Sequence, residues 1–115
     1  MPIRVVARNP PEVTVGYHVS TLAELARARA RGQRPDAFVV VGDGPACAWA
    51  ARNAFFAVDV RDCGEDLDAF TALDVVVRMR DPRPHRELVQ RLALTARFVT
   101  VFDTTTGHAE FVRAA

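Results

Sequence analysis

Apolar positions in this chain fall into short unbroken runs separated by stretches with helical spacing. The clearest case spans residues 37–62. Phe38-Val-Val-Val41 runs into Gly42-Asp-Gly-Pro45, passes through an Ala-rich stretch containing Trp49, and returns as Phe55-Phe-Ala-Val-Asp-Val60 before Arg61 and Asp62. An apolar run that stops at a Gly-x-Gly-Pro turn, enters a short helix and returns as a second apolar run is the pattern of a βαβ unit. Phe38 to Val41 shows no alternation of apolar and polar residues, so this strand is expected to be covered on both faces, as in a parallel sheet flanked by helices.

The same reading extends in both directions. Ile3 to Ala7 and Val13 to Val19 are β-rich and are separated by Arg8-Asn-Pro-Pro-Glu12, whose prolines cannot donate to a ladder, so a hairpin is expected there. Thr21-Leu-Ala-Glu24 has the form of a capping box and predicts a helix to about Arg31, with Leu22, Leu25 and Ala26 inward and Gly32 at its end. Gly64 and Glu65 introduce a predicted short helix to about Leu73, with Leu67 and Phe70 inward. Asp74 to Met79 reads as a third continuous apolar strand through Val75-Val76-Val77. Pro84 suits a first helical position, and the helix it opens runs to about Thr95 on Leu88, Val89, Leu92 and Ala93. Arg97 to Asp103 is the last parallel strand, and Thr104 to Gly107 turns the chain into a closing antiparallel strand near Glu110 to Arg113.

The resulting order, β-β-α-β-α-β-α-β-α-β-β over residues 1–115, predicts a single α/β domain. The expected architecture is a small three-layer, doubly wound, mostly parallel sheet with antiparallel hairpins at the chain ends. With 115 residues, half of them apolar, such a domain can bury a core without disulfides or metal. A net charge of +1 provides no global field toward nucleic acid or an anionic membrane. All 15 basic residues are Arg, which excludes lysine Schiff-base chemistry, a P-loop lysine and a phospho-acceptor receiver site. Met1 to Arg8 has no apolar signal region and no run is long enough to span a membrane, so a cytoplasmic location is expected. Cys47 and Cys63 lack metal or disulfide spacing and read as reduced thiols, Cys47 in the core.

In open α/β sheets ligands bind beyond the carboxyl ends of the strands. That rule selects Gly42, Asp43, Gly44, Asp62, Asp81, Asp103 and Thr105 as candidate ligand residues, a set suited to a nucleotide, a phosphate or a divalent cation. Gly42-Asp-Gly44-Pro-Ala-Cys47 begins like a dinucleotide fingerprint, and Asp62 stands where a ribose-binding acid would. Cys47 occupies its third small position, however, and Asp43 would repel phosphate. Arg27, Arg31 and Arg34 line one side of the first predicted helix, where they suit an acidic partner or a solvated face. No catalytic constellation, metal set or required cofactor emerges.

The leading functional expectation is therefore a non-enzymatic protein-binding, inhibitory or regulatory domain that occludes a partner. A bacterial immunity or antitoxin-type protein is one form of this. The alternative is a nucleotide- or phosphate-binding domain, or a metal-dependent enzyme, using the carboxyl edge, in which case Asp43, Asp62, Asp81 and Asp103 should converge. Nucleic acid ranks third, because aromatic residues are scarce near the Arg row. The last strand, with Phe111 and Val112, also leaves a homodimer open.

Overall fold

The computed structural model describes Leu25 and residues 38–53, 55–64 and 66–113. The predicted N-terminal hairpin and Arg27, Arg31 and Arg34 lie outside the described residues, as does the first predicted helix apart from Leu25. Leu25 is helical and fully buried, as its place in the apolar stripe requires.

The described residues form a small α/β domain around one five-stranded sheet. Its strands are β1 (Val39–Gly42), β2 (Ala57–Asp59), β3 (Asp74–Met79), β4 (Phe98–Asp103) and β5 (Ala109–Val112), in the spatial order β2-β1-β3-β4-β5. The first four are parallel and β5 is antiparallel to β4. Helix α1 (Gly44–Arg52) connects β1 to β2, and α2 (Arg86–Thr95) connects β3 to β4. The predicted βαβ unit and closing hairpin are both present. No helix among the described residues is long and apolar enough to cross a membrane.

Successive strand residues point to opposite faces, which divides the core in two. On one face Val39, Val41, Val58, Val75, Val77 and Val99 meet Leu88, Val89 and Leu92 of α2, together with Leu25, Leu67 and Phe70. On the other face Val40 and Ala57 meet Ala46, Cys47 and Ala50 of α1. Val39, Val40 and Val41 are each fully buried, as their unbroken apolar run predicted. Each such side chain stabilises the fold by roughly 1.5–3 kcal/mol relative to exposure.

Two expectations need correction. The segment from Gly64 to Leu73 is not an α-helix: only Asp68–Phe70 forms a turn of 3-10 helix. Leu67 and Phe70 are nevertheless buried as predicted. Glycine and three acids within residues 64–68 give little helical propensity, so tertiary burial of two side chains sets this segment. Strand β3, in turn, is fully buried on one face only. Val75, Val77 and Met79 are buried, whereas Asp74, Val76 and Arg78 are only partly so. Helix α1 is nine residues long and packs mainly over β1 and β2, reaching β3 through Trp49 over Arg78. The strands still share a carboxyl edge, because that depends on their parallel direction and not on their cover.

Candidate functional site

The carboxyl edge is where sequence places a ligand site, and the fold does bring part of it together. Asp43 caps α1: its Oδ1 accepts from the Ala46 N–H at 3.0 Å, while its Oδ2 accepts from the Arg80 N–H at 3.1 Å beyond β3. Thr105 Oγ donates to the Arg80 carbonyl at 2.6 Å, and the Thr105 N–H donates to Asp103 Oδ1 at 2.8 Å. Asp43, Thr105 and Asp103 are thus joined through the backbone of Arg80. Asp81 turns aside to Arg83, whose Nε and Nη2 donate at 2.9 and 3.2 Å. Asp62 closes a 3-10 turn after β2, on the far side of β1.

These contacts occupy several of the groups that a ligand would need. At the head of α1, Pro45 has no N–H, that of Ala46 goes to Asp43, and that of Cys47 goes to the Asp43 carbonyl at 2.9 Å. A helix N-terminus binds phosphate through free N–H groups, so this one is already capped by its own carboxylate. Gly42 has a packing reason to be glycine: a Cβ there would lie 2.2 Å from the Arg78 carbonyl oxygen and 2.6 Å from Ala46 Cβ. At Gly44 a side chain would meet nothing within 4 Å. Among the described residues, no three of His, Cys, Asp and Glu gather in a way that could hold a metal ion.

The cysteines are equally quiet. Burial, reinforced by the nearby Asp59, Asp43 and Asp62 carboxylates, pushes the Cys47 thiol up to about 11. Burial does the same to Cys63, with Asp62 adding to it. A nucleophilic thiol needs the opposite environment.

The other surface feature is the partly exposed face of β3, β4 and β5, on the side of the sheet that carries α1. In register, Val76 lies beside Thr100 and Arg78 beside Phe102, while Thr100 lies across from Phe111. Phe98 is 56% exposed and Phe111 74% exposed, with ring centroids 6.4 Å apart. Where this face meets α1, the Arg78 guanidinium lies 4.0 Å from the centre of the Trp49 ring and 5.0 Å from that of Phe102. Arg78 Nε is buried without a hydrogen-bond partner. Among the described residues Arg78 makes no ion pair, and neither does Arg113 just past β5. Asp74, the acid on this side of β3, is paired with Arg97 through two 2.9 Å hydrogen bonds.

Sequence reasoning did not single out Arg78 or Phe98. A signal was available: along β3 the positions Asp74, Val76 and Arg78 share one side, so the run was only apparently continuous. That Trp49 and Phe102 would flank Arg78 depends on strand register and helix placement, which no local pattern carries.

Comparison of the chain with protein-family models, with curated proteins and with solved structures yields no match in any of the three.

Proposed function

We propose that this chain is a non-enzymatic protein-binding domain, built on a three-layer doubly wound sheet, that acts by occluding or regulating a partner protein. The observation that carries the reading is the pair of exposed rings, Phe98 and Phe111, beside each other on one side of β4 and β5. Adjacent exposed aromatic rings on a sheet surface have the composition of an interface core. The carboxyl edge supports the same reading by subtraction, since the carboxylates of Asp43, Asp81 and Asp103 accept from neighbouring backbone or Arg groups. A foreign partner is favoured over a second copy. Two copies meeting through this face would bring together Arg78 and Arg113 of both, which make no ion pair among the described residues, with no carboxylate free among those residues on the face to offset them.

A photo-crosslinking amino acid at position 111 tests the reading in cells that make the protein, with position 94 as control because Leu94 is also exposed, at 69%, but lies on α2. A discrete protein adduct from position 111 and none from position 94 is expected. A thermal-shift screen with nucleotides and divalent cations should leave the midpoint unchanged. A rise with either would instead favour a ligand site at the carboxyl edge. Size exclusion at two concentrations tests the homodimer through β5, and elution independent of concentration is expected.

A further inference from the structure

The protein-binding reading leaves open what the partner must present, and Arg78 bears on that question. Its side chain rises from β3 at the edge of the part of the sheet covered by α1, held against the rings of Trp49 and Phe102. The Nε–H is sealed from water and unpartnered, whereas neither terminal Nη nitrogen is sealed. The cation is therefore fixed in place, partly stripped of water and unneutralised by any carboxylate of the described residues. A planar guanidinium pinned between aromatic rings has little freedom left to lose, and low local polarity strengthens any hydrogen bond to its open end. Planar oxyanions match that end in geometry and charge.

We infer that the Nη end of Arg78 receives a carboxylate from the docked partner, so that the face selects an Asp or Glu side chain set among apolar residues. This rests on the protein-binding reading. The surroundings make the choice of ligand. Val76, Phe98, Phe102 and Phe111 provide apolar contact around a single positive centre, with Arg113 adding charge of the same sign at the margin. Single-stranded nucleic acid fits less well. Base stacking needs free ring faces, but Trp49 carries Phe55 and Arg78, Phe102 carries Arg78, and Phe98 carries Arg97 at 5.4 Å. The described face also offers no row of cations to follow a phosphate backbone.

Trp49 is the only tryptophan and touches Arg78, so its emission reports directly on this position. The experiment is selection of a phage-displayed random peptide library on the full chain. The best peptide is then synthesised and titrated while Trp49 emission is followed, alongside a copy with its acid replaced by the amide. Enriched sequences should carry Asp or Glu flanked by apolar residues, and binding should change the emission. Affinity should fall at least tenfold for the amide peptide on the unaltered chain, and equally for the acid peptide on Arg78→Met. Arg78→Lys should recover only part of that loss, because it restores charge without the planar fork. Equal binding of acid and amide peptides, or enrichment of sequences without acids, overturns the inference. If Phe98→Ser and Phe111→Ser still abolish binding in that case, the protein-binding reading survives it. Failure to enrich any peptide also overturns the inference, and salt-dependent binding of an oligothymidylate in its place would remove both.

Discussion

Arg78 carries an unfavourable feature in the free protein: a buried N–H with no acceptor. An unsatisfied buried donor costs about 1–3 kcal/mol, and methionine keeps an unbranched stem between Trp49 and Phe102 without that donor. Arg78→Met is therefore expected to raise the unfolding free energy by about 1 kcal/mol, and the unfolding midpoint with it, while it removes the proposed carboxylate contact. Differential scanning calorimetry checks the first half, and a lowered midpoint would show that the cation contributes more to folding than its orphaned donor costs. The thiols give a second test at this scale. With Cys47 and Cys63 both raised to about 11 from 9.0, the thiolate fraction at pH 8 should be about 100-fold below that of an unperturbed cysteine. Iodoacetamide at pH 8 should label neither in the native protein and both in denaturant. The sign for stability follows. A thiol whose folded pKa is raised contributes stability that is present below about pH 9 and is lost as the pH climbs toward about 11.

Among the elements, β1 and α1 meet at a junction with no room for a Cβ. Asp43 caps the helix and also holds Arg80, while Gly42 lets the β3 backbone and Ala46 approach within distances that exclude a Cβ. Gly42→Ala should thus force backbone apart, at a cost of about 3 kcal/mol, the upper end of ordinary overpacking, because both colliding atoms belong to regular structure. Chemical denaturation measures this, and a change under about 1 kcal/mol would mean that α1 can retreat from the sheet. The turn was readable as strand to helix from Gly42-Asp-Gly-Pro45. That its first glycine serves packing was not, because the carbonyl it approaches belongs to Arg78, a long way along the chain. The short 3-10 turn at Asp68–Phe70 shows a related limit: the buried positions Leu67 and Phe70 were legible, but their spacing suits several backbones.

For the whole molecule, surface ion pairs predict how the fold responds to acid. Arg61 hydrogen-bonds Asp59 and Arg83 hydrogen-bonds Asp81, and each holds its carboxyl below the ordinary 3.8. A carboxyl lowered in the folded state contributes stability above its unfolded pKa and loses it as pH falls through the folded value. The thermal midpoint should therefore drop below about pH 4, and the drop should be smaller in an Arg61→Gln, Arg83→Gln double variant. Both pairs face solvent, so added salt should shrink the difference between the two proteins. The sequence by itself determined the strand–helix–strand unit, the inward residues and the closing hairpin. Each of these rests on which neighbouring side chains leave water, and neighbours along a chain record that. Only the tertiary structure decided that α1 reaches β3 mainly through Trp49, that Asp43 binds the loop after β3, and that Trp49, Arg78, Phe102, Phe98 and Phe111 share one side of the sheet. Strand order and helix placement come from contacts between distant segments, and the periodicity of any one segment is the same whichever neighbour it meets.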